Sequence, residues 1–262
     1  MAGIDIGGLI SIAEEASKLI LKAEDPVIQR KRSNSDYTTG TDLEVEQYLT
    51  ESLQKSVPGC SVVAEESADL FNIPEKKDIF IVDPIDGTIN FFHNYKASAV
   101  SIAYLEWGEL KMGVVVDPYR KETFHACRGE GAFLNNVPIQ VSSTERLENA
   151  LAGFGTAPYD KEEGKRMLDA ASRVYSSCQD LRRLGAAALD LVHVACGRLD
   201  LFFERSLNPW DYFAGMIIIQ EAGGTCTDWN NSRIKKISTS HVCGSNGILH
   251  DDIISILKDS QS

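Results

Sequence analysis

The chain has 262 residues, a formal net charge of −12 and a sequence pI near 4.9, with 43% hydrophobic and 24% charged residues. That length supports a large buried core, as one domain or two intimately packed halves, and the composition is ordinary for a globular protein. The acidic balance excludes nucleic-acid binding through a basic groove, and no apolar run reaches the roughly 20 residues that span a membrane.

An acidic protein still accepts a phosphorylated substrate where metal ions reverse the local sign. Asp5 stands where a secretory signal would carry positive charge, and no small-residue cleavage site stands out. A cytoplasmic location is therefore expected. Cys60, Cys127, Cys178, Cys196, Cys226 and Cys243 form no CxxC pair and no Cys/His cluster at zinc spacing, so reduced core thiols are expected. The five histidines are scattered and read as structural or exposed.

Leu9, Ile12, Ala13, Ala16, Leu19 and Ile20 recur at helical spacing and predict a helix within residues 4–23. Residues 29–40 are polar, lack either period and read as a mobile loop carrying Arg30, Lys31 and Arg32. Thr41-Asp42-Leu43-Glu44 reads as a capping box for a second helix, which Pro58-Gly59 ends. Residues 61–64 form a short strand running into Glu65-Glu66-Ser67. Residues 79–82 are a buried strand that stops at Asp83, because Pro84 has no N–H to give to a sheet. Asp83 and Asp86 then share a tight bend with Gly87, and Thr88 or Asn90 is placed to cap a short helix.

Strand-like runs follow at 98–105, 111–116, 122–127 and 132–141, separated by turn signals as in an antiparallel meander. Residues 142–148 form a polar bridge and divide the chain into 1–145, with the meander, and 146–262. In the second part strands at 150–154, 179–183, 199–203, 225–229 and 240–244 alternate with helices at 162–175, 185–196, 209–222 and 250–257. Such alternation predicts sheets with helices packed on their faces.

Asp83 and Asp86 leave a strand end beside free backbone N–H groups, which suits a divalent metal and a phosphate together. A well-made turn with two satisfied aspartates has the same sequence. Glu65 follows a strand, and Asp211 opens a helix after Pro209 and Trp210. Spacing alone does not bring these four acids together.

Ala64-Glu65-Glu66-Ser67, Asp83-Pro84-Ile85-Asp86-Gly87-Thr88-Ile89-Asn90-Phe91 and Trp210-Asp211-Tyr212-Phe213-Ala214-Gly215, with Glu221-Ala222-Gly223-Gly224, resemble signatures of the inositol monophosphatase family in order and separation. The resemblance covers nearly the whole chain, including Thr41-Asp42 and Arg183-Leu184-Gly185-Ala186-Ala187. Ile89 departs from the second threonine usual in that family, which bears on the substrate more than on the chemistry.

The resemblance implies an α+β fold layered as an α-β-α-β-α sandwich, with both halves packed as one unit, and Mg²⁺-dependent hydrolysis of phosphate monoesters. Glu65, Asp83, the Ile85 carbonyl and the Thr88 hydroxyl would surround one metal. Asp83, Asp86 and Asp211 would hold a second, and Asp42 would help a weaker third. Glu65 with Thr88 would orient and deprotonate the attacking water. Gly87, Thr88, Asp86, Gly185, Ala186, Ala187, Glu204 and Asp211 would contact substrate, with Lys31 in the adjacent loop. A homodimer and sensitivity to Li⁺ are also implied.

Should the four carboxylates converge, like charges about 5 Å apart repel by roughly 3 kcal/mol per pair at an effective dielectric of ~20. Two Mg²⁺ ions would offset that charge, and oxygen-only ligands suit Mg²⁺ rather than zinc. With no evident Cys, His or Ser nucleophile, attack by water is expected over a phosphoenzyme. Inositol monophosphate is the expected substrate, because the Glu204 carboxylate accepts hydroxyl hydrogen bonds and would repel a second phosphate. Fructose 1,6-bisphosphate, NADP(H) and 3′-phosphoadenosine nucleotides are alternatives on the same site, and a non-catalytic regulatory protein is the rival from another class.

Overall fold

The structure is a computed structural model that describes residues 4–23, 28–33, 36–68 and 77–259, with the side chains of 28–33, 36, 37 and 259 outside that description. Helix α1 (Ile6–Lys22) precedes an antiparallel hairpin of β1 (Ile28–Ser33) and β2 (Asp36–Thr39), then α2 (Gly40–Ser56). Strands β3 (Ser61–Ala64) and β4 (Asp78–Asp86) pair in parallel and lead to the short helix α3 (Thr88–Phe92). A meander follows: β5 (Ala99–Glu106), β6 (Glu109–Asp117), β7 (Glu122–Cys127), β8 (Gly131–Leu134) and β9 (Val137–Ile139). These strands form a seven-stranded sheet in the order β3 to β9.

The remaining elements are β10 (Leu151–Phe154), α4 (Lys161–Tyr175), β11 (Asp180–Arg182), α5 (Ala187–Ala195), β12 (Leu201–Leu207), α6 (Pro209–Glu221), β13 (Thr225–Asp228), β14 (Ser240–Ser245) and α7 (His250–Asp259). Their strands form a five-stranded sheet in the order β11-β10-β12-β14-β13, in which β10 runs parallel to both neighbours.

Successive side chains of a strand point to opposite faces, and this alternation builds the layers. Phe80 and Val82 of β4 pack with Leu9, Ala13 and Ile20 of α1 and Val45, Leu49 and Leu53 of α2. Ile79 and Ile81 turn the other way, toward α5 and α6. In the second sheet Phe202 of β12 faces α5 and α6, whereas Leu201 and Phe203 face Met167 and Val174 of α4 and Ile253 and Leu257 of α7. The layers are therefore α1/α2, the seven-stranded sheet, α5/α6, the five-stranded sheet and α4/α7. Helix α6 is apolar around almost its whole circumference because both sheets cover it.

Local geometry departs from the sequence reading in four places. Segment 29–40 is not an irregular loop: β1 and β2 occupy most of it. The capping box of α2 lies two residues earlier than predicted, with Thr39 as cap and Asp42, not Glu44, reaching back to the cap N–H. Strand β4 does not stop at Asp83. It continues to Asp86 through a register shift between those two residues, and Pro84 sits in the interruption, where no ladder donor is required. The run 132–141 is broken by Asn135 and Asn136, both with positive φ, into the β8–β9 hairpin.

Candidate active site

The site begins where β3 and β4 end. The Glu65 N–H donates to the Val82 carbonyl (3.2 Å), extending the parallel pairing by one residue and setting Glu65 beside Asp83. Asp83 is 1% exposed, and its Oδ1 accepts the Ile85 N–H at 3.0 Å inside the bulge. Gly87 leaves the bulge at φ 86°, a left-handed conformation, and is the N-cap of α3; Thr88 and Asn90 do not cap it. Asn90 instead lies inside α3, buried, with its Nδ2 directed at the carbonyls of Ala97, Leu184 and Gly185.

Three helix starts complete the arrangement. Both carboxylate oxygens of Asp86 accept N–H groups at the start of α5, from Ala187 at 3.2 Å and Ala188 at 2.8 Å. Asp211 sits in the first turn of α6, where Oδ2 accepts the Asn208 N–H at 2.7 Å. At the start of α2 the Asp42 Oδ2 accepts from the Thr39 N–H and hydroxyl. Its Oδ1 lies 3.2 Å from the Thr88 hydroxyl, which is also 3.1 Å from the Ile85 carbonyl. The Thr88 proton therefore points to one of these two acceptors.

Glu65, Asp83, Ile85, Asp86, Gly87, Thr88 and Asp211 line a cavity of about 130 Å³, together with Gly155, Tyr159, Arg183, Gly185, Asp190 and Glu204. Asp42 stands behind Thr88, wholly buried, and Ala186 is buried behind Gly87 while Ala187 reaches the cavity. The side chain of Lys31 lies outside the described residues. Glu204 is in the interior of β12 and accepts the Ala157 N–H at 3.2 Å. It fits only because residue 155 is glycine, since a Cβ there would lie 1.8 Å from Glu204 Oε2.

Burial is the main perturbation of Asp42, Asp83, Asp86, Glu204 and Asp211, and repulsion from neighbouring carboxylates adds to it at Asp42, Asp83, Glu204 and Asp211. Asp83 is raised well above the ordinary carboxylate range by burial, then by the charges of Glu65, Asp86, Asp211 and Asp42. Asp211 is raised by burial first, then by the charges of Glu65, Asp86 and Glu204, against the Asn208 N–H that it accepts. Burial lifts Asp86 to about 6 against the N–H groups at the start of α5, and lifts Asp42 to about 6 and Glu204 to about 7.

Among the described residues no three His, Cys, Asp or Glu side chains are drawn into a closed metal shell; the acids line the cavity walls instead. Besides their carboxylates, the lining residues offer the Ile85 carbonyl and the Thr88 hydroxyl as oxygen donors. Oxygen donors with excess negative charge fit a hard divalent cation such as Mg²⁺, and no His or Cys in the lining favours a softer one.

Two charged lining residues, Asp190 and Arg183, are not among those expected from the sequence. Asp190 is a lone acid in the apolar run Ala187-Ala188-Leu189-Asp190-Leu191, a signal that was available, and its carboxyl is raised well up by burial. Arg183 opens the segment Arg183-Leu184-Gly185-Ala186-Ala187, whose resemblance implies a role only for its last three residues.

The sequence profile of the inositol monophosphatase family matches residues 6–262. A fructose-1,6-bisphosphatase/inositol-1-monophosphatase of Thermotoga maritima is 36% identical over 233 residues, 88% of this chain and 86% of that protein. The Nus factor SuhB of Escherichia coli is 34% identical over 238 residues, covering 90% of this chain and 89% of the relative. Among solved structures, an IMPase/NADP phosphatase complexed with Mg²⁺ and phosphate superposes with a TM-score of 0.82 at 25% identity, covering 95% of this chain and 92% of that one.

Proposed function

The chain belongs to the inositol monophosphatase family and is a phosphatase, and from that premise we propose that it hydrolyses phosphate monoesters of small hydroxyl-rich metabolites with Mg²⁺, inositol monophosphate foremost. The observation that carries this reading is the meeting of Glu65, Asp83, Asp86, Thr88 and Asp211 around one cavity. They come from the ends of β3 and β4 and the starts of α3 and α6.

Glu65, Asp83, Asp86 and Asp211, with the Ile85 carbonyl and Thr88 hydroxyl, would hold two or three Mg²⁺ ions, the third helped by Asp42. When bound, these ions would offset the carboxylate charge, make water more acidic and stabilise the leaving oxygen. The chain's own part is positional. Asp42 or the Ile85 carbonyl accepts the one Thr88 hydroxyl proton, so the Thr88 oxygen offers lone pairs to orient the attacking water. Glu65 accepts that water's proton, and the N–H groups of Gly87 and Thr88 hold phosphate oxygens. Glu204 and the backbone of 185–187 receive the hydroxyl-bearing leaving group. No Cys, His or Ser side chain lines the cavity among the described residues, which supports attack by water over a phosphoenzyme.

The test is phosphate release from inositol 1-phosphate, fructose 1,6-bisphosphate, NADP and 3′-phosphoadenosine 5′-phosphate, with and without Mg²⁺. Mg²⁺-dependent turnover of inositol 1-phosphate is expected, and Li⁺ added to the same assay should inhibit it. Light scattering on the same preparation should report a homodimer. The name of the SuhB relative favours a regulatory protein as the second reading, and absence of turnover on every ester would leave that one standing.

A further inference from the structure

A second cavity, of about 500 Å³, shares no lining residue with the first. Helix α6 connects the two: Asp211 in its first turn lines one, and Gln220 and Glu221 in its last turn line the other. The volume falls within the roughly 300–1,000 Å³ of small-molecule pockets.

Three segments build it. Leu105 and Leu110, on either side of the β5–β6 turn, and Phe213 and Met216 of α6 supply an apolar floor, and all four are buried. Glu106 pairs with Glu109 across Trp107 and Gly108, both at positive φ, so this wall is a tight two-residue hairpin turn. After β13, Ile234 packs against the core shared by α5 and α6, which holds its exposed neighbours Arg233 and Lys235 at the cavity.

The charge here is opposite to that of the active cavity. Arg128, Arg233 and Lys235 line it against Glu109 and Glu221, an excess of positive charge in a chain of net charge −12. Neither carboxylate pairs with these cations among the described residues, and Glu221 Oε2 instead accepts the Gly131 N–H at 3.1 Å. Among the described residues Arg233 and Lys235 have no hydrogen-bond or ion-pair partner, and Arg128 uses only its Nε, on the Leu110 carbonyl at 2.7 Å. Open cationic donors beside a buried apolar floor suit a ligand with an apolar body and an anionic group.

We propose that this cavity is a second ligand site, for a small organic anion that joins an apolar ring or branched body to one phosphate, sulfonate or carboxylate group. The body lies on Leu105, Leu110, Phe213 and Met216, and the anion meets Arg128, Arg233 and Lys235. The site is independent of the phosphatase reading, because it uses none of the active-cavity residues.

Fluorescence titration of the full chain in Mg²⁺ with 1-anilinonaphthalene-8-sulfonate tests it, beside N-phenyl-1-naphthylamine, which has the same rings and no charge. One saturable sulfonate site per chain is expected. The double variant R233Q/K235Q should weaken the sulfonate about 5- to 30-fold and change the neutral probe by less than about 2-fold. Gln220→Trp, which fills the cavity from the exposed end of α6, should weaken both probes. Absence of a saturable site, unchanged sulfonate affinity in R233Q/K235Q, or equal weakening of both probes by that variant would each overturn the proposal. Undiminished affinity in Q220W would place the probe elsewhere and overturn it too. So would loss of the site on adding EDTA, which would put the sulfonate on a metal in the acidic cavity.

Discussion

Asp83 is the residue on which the opposing forces of the site meet. It is nearly inaccessible, accepts the Ile85 N–H, and lies in the field of four other acids. Without a cation its charge is unfavourable to the fold, and with one it is the centre of the donor set. Asp83→Asn should therefore move two observables in opposite directions. The amide oxygen can still accept the Ile85 N–H, while relief of repulsion should stabilise the metal-free protein by about 1 kcal/mol, a rise in Tm of ~2–4 °C. The same change should abolish Mg²⁺-dependent turnover and most of the stabilisation that Mg²⁺ confers. Near-full activity in this variant refutes the metal assignment. The sequence showed Asp83 and Asp86 as a pair, but it did not distinguish a site from a turn. That distinction depends on Glu65 and Asp211, which reach the cavity from 18 residues before Asp83 and 128 residues after it. Arg183 was harder to read, because its place in the cavity lining depends on the space left by Gly185, not on its own surroundings in the chain.

At the level of elements, apolar periodicity was sufficient for the helices and most strands, since burial on one face writes itself into the sequence. The β1–β2 segment carries no such alternation, so nothing in its residues separates a hairpin from a loop. Pro84 misled for a physical reason: it forbids a ladder donor, but a bulge requires none at that position. The α2 start was misplaced because Thr39-Gly40-Thr41-Asp42 and Thr41-Asp42-Leu43-Glu44 both fit a capping pattern. The structure selects the first, and in doing so fixes Asp42 behind Thr88. Thr39 is wholly buried and its hydroxyl both caps the helix and bonds Asp42. Thr39→Ala should accordingly cost about 1–2 kcal/mol, seen as a lower urea midpoint with unchanged m-value. An unchanged midpoint would mean that the cap contributes nothing.

Across the whole molecule the acids act together, because they sit where α2, both sheets, α5 and α6 converge. Asp83, Asp211, Asp86, Asp42, Asp190 and Glu204 are all raised, with burial as the first cause in each. Each binds its proton more tightly in the folded chain than in the unfolded one, so the metal-free fold is favoured below the ordinary carboxylate range near pH 4. That advantage is lost as pH rises through about 6, where Asp86 and Asp42 ionise, and about 7, where Glu204 does. The slope is opposite to that of surface carboxylates in ion pairs, whose stabilisation grows as pH rises. A bound cation favours the ionised forms, so its affinity rises over the same interval and its stabilisation follows RT ln(1 + [L]/Kd). Thermal melts of EDTA-treated protein should give a Tm that falls between pH 5 and 8. With Mg²⁺ in excess the Tm should be higher, and the gap between the two curves should widen with pH. Parallel curves, or a metal-free Tm that rises over this interval, would show that the buried acids are not held by the balance of repulsion and cation binding that the fold implies.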